Sequence, residues 1–364
     1  ILVGMMLLVA VIKNSGIFEY IAIKAAKIAK GRPWPIMVIF ILITAVCSGM
    51  LDNVTTVLLV GPMTLAITNI LKVDPVPYII TQIMASNIGG TATLIGDPPN
   101  IMIGSAAKLS FVDFILNTGV ATVFVIIVGL ICMYFIYGRK LFVTDESIAK
   151  VMQLDENKAI KDRKLMHESV IVIILVALCF IFHDQLGVQS CTVAIAAACI
   201  MLLIGGQEPE EIIADVEWPT ILFFIGLFIV VGGMKKVGVI TMLANGLISI
   251  THGNMVVTMM VILWVSAIVS SFLDNIPFVA TLIPMILTMQ SEGMDVAPIW
   301  WALSLGACLG GNGTLIGASA NVVLSGISKN NGHPITFGQY FKIGFPMMIL
   351  SIIVCSVFLL IRFA

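Results

Sequence analysis

Asp52 and Asn53 stand in the middle of AVCSGMLDNVTTVLLVGPM, residues 45–63, and the same Leu-Asp-Asn returns at 273–275 in AIVSSFLDNIPFVATLIPM. A charge held in hydrocarbon costs roughly 2.5–3.5 kcal/mol on insertion scales, so a carboxylate kept there is expected to have a function. Of 20 acidic residues, Asp52, Asp97 and Asp274 alone lie deep in apolar surroundings, with no Lys or Arg beside them. Oxygen-bearing and small residues crowd the same stretches: Asn53, Thr55, Asn87, Gly89, Gly90, Thr91, Thr93 and Asn100 around the first pair, and Asn275, Gly310, Gly311, Asn312, Thr314 and Asn321 around the second. Carboxylate, amide, hydroxyl and freed carbonyl oxygens suit a hard cation. One expectation is therefore Na+ at Asp52, Asn53, Asp274 and Asn275, and the other is a proton on the buried aspartates. Half-helix N-termini at the same breaks would offer N–H groups and positive dipole ends to an anion. An ion-coupled anion carrier and a Na+/H+ exchanger both remain open, with an anion channel as a third class.

A catalytic role fares worse. HExxH and GxSxG are both missing from the sequence, and no Ser/His/Asp set falls at membrane depth. The four histidines, 167, 183, 252 and 333, all fall at segment ends. No catalytic residue and no cofactor is expected beyond Na+ or H+ as coupling ion.

Composition names the solvent in which these residues work. The chain of 364 residues is 59% hydrophobic and 11% charged, with a mean hydropathy of +1.11, and cannot present a polar surface to water all round. Apolar runs at 112–138, 169–182, 189–206, 219–234 and 343–361 approach the roughly 20 residues a helix needs to span a bilayer. The seven cysteines lie in apolar segments without a CxxC pair, which suggests small core residues rather than disulfides or zinc. The sequence opens at Ile1 already inside an apolar run, so repeat 1 is expected to be truncated at its N-terminus.

An internal duplication organises the chain. At an offset of 222, Gly4, Lys13, Gly16, Asp52, Asn53 and Pro62 fall on Gly226, Lys235, Gly238, Asp274, Asn275 and Pro284. At 221, Gly89, Gly90 and Asn100 fall on Gly310, Gly311 and Asn321, and TLIG at 93–96 on TLIG at 314–317. The expected organisation is repeat 1 over 1–138, a cytoplasmic linker at 139–168, scaffold helices with a short cytoplasmic loop at 169–217, and repeat 2 over 218–364. In each repeat the LDN run is too long for one crossing and broken by polar residues, which predicts two half-helices in a re-entrant hairpin with LDN at its tip. The rival is one long tilted helix. The Gly-rich run, SNIGGTATLIGDPPN or CLGGNGTLIGASAN, cannot be helical throughout, and unwound backbone at membrane depth must line a cavity. Paired discontinuous helices point to a transporter's substrate site.

Three crossings per repeat make the two repeats inverted. With 139–168 in the cytoplasm, fifteen basic residues lie inside and Lys108, Lys235, Lys236 and Arg362 outside, in line with the positive-inside rule. Lys24, Lys27, Lys30 and Arg32 of repeat 1 correspond to 246–254 of repeat 2, which holds no Lys or Arg. The 19–32 segment, EYIAIKAAKIAKGR, gathers Lys24, Lys27 and Lys30 on one face, as for an interfacial helix. The linker, with seven basic and six acidic residues, predicts a solvated connection without a specific function. The scaffold helices are expected to form a dimer contact while hairpins and broken helices move. Within this frame the tip aspartates are the expected cation or proton sites, and Asp97 could instead cap the half-helix that follows Pro98-Pro99.

SGMLDNVTTVLLVGPM, TNILKVDPV, SNIGGTATLIGDPPN, SFLDNIPFVATLIPM, GACLGGNGTLIGASANVV and GFPMM closely resemble the P protein (pink-eyed dilution) family. That family belongs to a superfamily with citrate and dicarboxylate carriers, arsenite permeases and sodium/proton antiporters. The resemblance implies an all-α polytopic membrane protein of two inverted-topology repeats, each with a re-entrant hairpin and a broken transmembrane helix. It also implies a homodimer and elevator-type movement. In dicarboxylate carriers the hairpin tips read Ser-Asn-Thr and hold sodium; here they read Asp52-Asn53-Val54 and Asp274-Asn275-Ile276, with the asparagine kept and the serine replaced by a carboxylate. The expected function is secondary active transport of a small anion coupled to Na+ or H+, with Na+/H+ antiport as the alternative. The expected partners are a small ion and the lipid bilayer, with no nucleic acid, and the expected location is the plasma membrane of a microbe.

Overall fold

The computed structural model describes residues 1–216, 218–251 and 253–364, apart from the side chains of 183–186, 220, 224, 240 and 247. Every regular element among the described residues is a helix. In chain order these are α1 (Leu2–Lys13), α2 (Ile17–Ile28), α3 (Pro33–Met50), α4 (Asn53–Leu71), α5 (Val76–Thr91), α6 (Pro98–Ala107), α7 (Phe111–Phe114), continued by a π turn into α8 (Val120–Ile136), α9 (Asp145–Met152), α10 (Arg163–Leu186), α11 (Ser190–Ile204) and α12 (Pro209–Ala214). The second half holds α13 (Trp218–Lys236), α14 (Val239–Thr251), α15 (Met255–Phe272), α16 (Asn275–Ser291), α17 (Ala297–Gly310), α18 (Ser319–Asn330) and α19 (Phe337–Phe363). Among the described residues six helices are long and apolar enough to cross a membrane, or up to eight segments if each of two bent pairs counts as one span. The protein is an all-helical polytopic membrane protein.

Both bent pairs, α1–α2 and α13–α14, turn by 68°. Gly16 and Gly238 sit at the two elbows with φ of 82° and 81°, a left-handed conformation open to glycine without steric cost. Their 222-residue separation makes the elbow a property of the duplicated unit. The LDN runs form helix–break–helix hairpins, α3–α4 and α15–α16, whose arms pack on each other, so the long tilted helix is excluded. Pro62 and Pro284 lie inside the second arms at matched positions. The Gly-rich runs break where their composition demands, between α5 and α6 and between α17 and α18.

The chain packs as two compact units. One comprises Ile1–Gly89, Leu130–Glu217 and Val323–Ile335, and the other Gly90–Gly129, Trp218–Val322 and Thr336–Ala364. These units cut across the sequence repeats, because each broken helix contributes its two halves to different units. In the first unit α1 packs along α11, and a core of Ala22, Ala26, Ile36, Met37, Phe40 and Tyr78 joins α2, α3 and α5. In the second, α17 is buried along its length from Pro298 to Gly310 and packs against α15, α16, α19 and α6.

The linker departs from the free, solvated connection its charge pattern predicts. Val151 of α9 is fully buried in the first unit's core, where Leu141, Val143 and Leu154 pack beside it, and α9 lies on both α2 and α4. Lys27 of α2 donates to the Glu156 carboxylate at 2.6 Å and to the Leu154 carbonyl at 3.2 Å. The Lys161 N–H reaches the Ser15 carbonyl at 3.0 Å, next to the elbow. Counting charges missed this because Leu141, Val143, Val151 and Leu154 are spread between the charged residues and meet only when the chain folds back.

Candidate functional site

The duplication returns as matched bonds. Ser48 Oγ of α3 donates to the Ser86 carbonyl of α5 at 2.6 Å, and Ser270 Oγ of α15 donates to the Ala307 carbonyl of α17 at 2.7 Å. A β-carbon on Gly89 would run into the Ala45 main chain, and one on Gly310 into that of Ala267, so each glycine lets a broken helix lie against the first arm of its hairpin. Neither serine was singled out from the sequence. The signal was present, since Ser48 and Ser270 fall on each other at offset 222.

At the tips the aspartates act as helix caps. Asp52 Oδ1 accepts from the Thr55 N–H at 2.8 Å and Oδ2 from the Thr55 hydroxyl at 2.5 Å. Asp274 Oδ1 accepts from the Ile276 N–H at 3.0 Å and Oδ2 from the Ser319 hydroxyl at 3.0 Å. Each carboxylate therefore faces the positive end of the helix it caps and takes up one of that helix's free N–H groups. Asp52 is buried and Asp274 half-buried, while the neighbouring Asn53 and Asn275 are both buried.

Asn100 and Asn321 hold the unwound loops. Asn100 Nδ2 faces the carbonyls of Gly90, Thr91 and Thr93 at 3.3, 3.2 and 2.9 Å. Asn321 Nδ2 faces those of Gly311 and Thr314 at 2.7 and 2.9 Å. The carbonyls that a broken helix frees are thus satisfied internally. The threonine hydroxyls brace the same loops: Thr93 Oγ1 accepts from the Gly96 N–H, and Thr314 Oγ1 accepts from the Ile316 N–H while donating to the Ser271 carbonyl. Asn87, Thr91 and Asn312 are buried alongside.

Asp97 breaks the symmetry. It precedes Pro98-Pro99 at the start of α6 but makes no side-chain capping bond, contrary to the capping role its position suggests. Its carboxylate accepts instead from Asn275 Nδ2 of α16, at 3.2 and 3.4 Å. Cys308 of α17 hydrogen-bonds to Asp97 and Thr91, and its thiol lies 3.5 Å from Asn100 Oδ1, which Ser304 Oγ also reaches at 2.6 Å. Asp97, Asn100, Asn275, Ser304 and Cys308 form one buried polar cluster within the second unit. Ser304 and Cys308 were missed because, four residues apart on an apolar helix, they read as small core positions. Among the described residues no group of three His, Cys, Asp or Glu side chains suits a metal ion. His252 and the side chain of His183 lie outside the described residues, and His167 and His333 are exposed.

Paired helical hairpins with carboxylates at their tips, beside paired broken helices in an apolar helical bundle, define a membrane transporter architecture. The citrate transporter family matches residues 1–306, and the chain belongs to that family. It is 43% identical over 367 residues to an uncharacterized transporter of Mycobacterium tuberculosis, covering 100% of this chain and 85% of the relative. It is 39% identical over 366 residues to the 46 kDa membrane protein of Mycobacterium leprae, with the same two coverages. The P protein of Homo sapiens is 32% identical over 441 residues, which takes in 99% of this chain and 53% of that protein. The likeness first visible in the LDN and Gly-rich motifs thus extends along the chain.

Proposed function

We propose that this membrane transporter is a secondary active carrier that moves a small anion coupled to Na+ or H+ by elevator-type alternating access. The observation that supports this best is the pair of unwound loops, clamped by Asn100 and Asn321, in segments otherwise apolar enough to lie in a membrane. Backbone of that kind is tolerated at depth where it lines a protein or water-filled cavity. The description of the matched family puts citrate and other small carboxylates first among the anions to test. The hairpins are re-entrant in this reading, the repeats inverted, and the linker cytoplasmic in the plasma membrane of a microbe. α10 and α11 serve as scaffold and homodimer contact. No enzymatic step is involved.

Na+/H+ exchange is the second reading, favoured by Asp52, Asp97 and Asp274 lying in stretches that carry no Lys or Arg: residues 33–71, 73–107 and 237–328 are free of both. Purified protein in liposomes, offered labelled citrate, smaller carboxylates and inorganic anions under an imposed sodium or pH gradient, separates the readings. Anion uptake that follows one gradient supports the carrier. Sodium flux exchanging for protons without any anion supports the exchanger, and a gradient-independent anion conductance supports a channel.

A further inference from the structure

We propose that residues 145–162 form a strap that locks α2, the helix after the first elbow, at both of its ends, and that the matched helix α14, with no counterpart of the strap among the described residues, is the one that swings. Which elbow moves does not depend on the ion carried.

The two elbow helices are built alike in their main chain. Gly16 and Gly238 open them with φ of 82° and 81°, and Gly31 and Gly253, also 222 residues apart, follow them with φ of 65° and 66°. The Gly16 N–H donates to the Lys13 carbonyl at 3.3 Å and the Gly238 N–H to that of Lys235 at 3.2 Å. At the far ends the Gly31 N–H donates to the Ala26 carbonyl and the Gly253 N–H to that of Ile248, both at 3.1 Å. Their own backbone geometry therefore gives no reason for one to be stiffer than the other.

The difference lies in what covers them. The Ala159 carbonyl oxygen occupies the space that a β-carbon on Gly16 would need, and the Ile148 main chain lies 3.3 Å from where one on Gly31 would stand. Linker backbone thus presses on the glycines at both ends of α2. Between them Lys27 holds the Glu156 carboxylate and the Leu154 carbonyl, while the Lys161 and Asp162 N–H groups reach the Ser15 carbonyl at 3.0 and 3.4 Å. Val151 pins the strap into the core. On the α1 side of the elbow, Gln207 accepts from Asn14 Nδ2 at 2.8 Å and donates to the Val11 carbonyl at 3.2 Å, and Lys13 pairs with Asp215. At the second elbow a β-carbon on Gly238 or Gly253 would meet no atom within 4 Å among the described residues. Ser15 is fully buried, whereas Val237, its match at offset 222, is 75% exposed. Opening the first elbow therefore breaks several hydrogen bonds and uncovers Val151, costs that the second elbow does not carry.

Hydrogen exchange of the purified, lipid-reconstituted protein at one neutral pH tests this without any transported substrate. In the wild type, protection over 16–29, taken relative to intrinsic rates, should exceed that over the matched 238–251 by about tenfold or more. Gly16→Ala and Gly238→Ala impose the same left-handed strain, but only the first drives a methyl group into the Ala159 carbonyl. Gly16→Ala should lower protection over 16–29 and 155–162 together by about tenfold, and Gly238→Ala should lower that over 238–251 by less than about threefold. Lys27→Ala leaves the elbow glycine in place and removes the bonds to Glu156 and Leu154; it should loosen the same two segments together, and it decides the matter if Gly16→Ala fails to fold. Equal protection of the two helices in the wild type overturns the proposal, as does a 16–29 segment that stays fully protected in Lys27→Ala. Equal losses from Gly16→Ala and Gly238→Ala would also overturn it, since strain alone would then account for both.

Discussion

Asn321 makes, 221 residues later, the bond that Asn100 makes: each turns its Nδ2 back onto the loop it follows, reaching the Thr314 carbonyl at 2.9 Å and the Thr93 carbonyl at 2.9 Å respectively. A broken helix frees carbonyls, and in an apolar surrounding each unsatisfied one costs about 1–3 kcal/mol. Replacing either asparagine by leucine should lower thermal stability in detergent by an amount of that order, with the two substitutions alike in size. Replacement by aspartate, which keeps shape and removes the donors, should be at least as damaging. A melting temperature unchanged in both leucine variants would mean the loops are held by other groups.

The glycines that seat the broken helices carry a second prediction. Gly89→Val and Gly310→Val place carbon where the Ala45 and Ala267 main chains already lie. Overpacking of this kind costs about 1–3 kcal/mol and shifts backbone. Both variants should melt lower and lose transport. Gly226→Ala, at a glycine with open space around it, serves as the control and should melt within about 0.5 kcal/mol of wild type.

The tip aspartates separate cap from charge. Asp52→Ala and Asp274→Ala remove the acceptor and should destabilise by about 0.5–2 kcal/mol. Asp52→Asn and Asp274→Asn keep an acceptor oxygen and should melt close to wild type. If the negative charge itself is used in transport, the asparagine variants will lose flux in spite of normal stability. Parallel melting curves and liposome uptake distinguish the two contributions.

The docked linker predicts a local, pH-dependent contact. Hydrogen bonding from Lys27 holds the Glu156 carboxyl below its ordinary value. A depressed carboxyl contributes stability above its unfolded pKa, near ~4.3, and loses it as pH falls through the lower folded value. Protection against hydrogen exchange over 145–160, taken relative to the intrinsic rate at each pH, should therefore be high at neutral pH and fall only below about pH 4, and Lys27→Ala should make it less pH-dependent. Val151→Asp, which puts a charge into the core formed with α2 and α3, should release the segment at every pH. Exchange that ignores both substitutions would contradict the docking.

The fold was largely legible because its signals are long. Two echoes, a Leu-Asp-Asn repeated at an offset of 222 and a Gly-rich run repeated at 221, marked where the hairpins and the broken helices lie. Bond partners were not legible. Asp97 looked like a helix cap by position, yet it makes no capping bond and its carboxylate meets Asn275, 178 residues away. Cys308 looked like filler and lies in the polar cluster; it stands where repeat 1 has Asn87. Such contacts depend on which helices meet, and spacing along one segment does not encode that.

Uphill accumulation tests the carrier most directly. Liposomes containing the protein are loaded with buffer, placed in equal concentrations of labelled citrate or a smaller carboxylate on both sides, and given an inward proton or sodium gradient. The account predicts that label rises inside above its starting concentration and that collapsing the gradient reverses this. Label that only equilibrates, whatever gradient is imposed and whichever anion is offered, would contradict it.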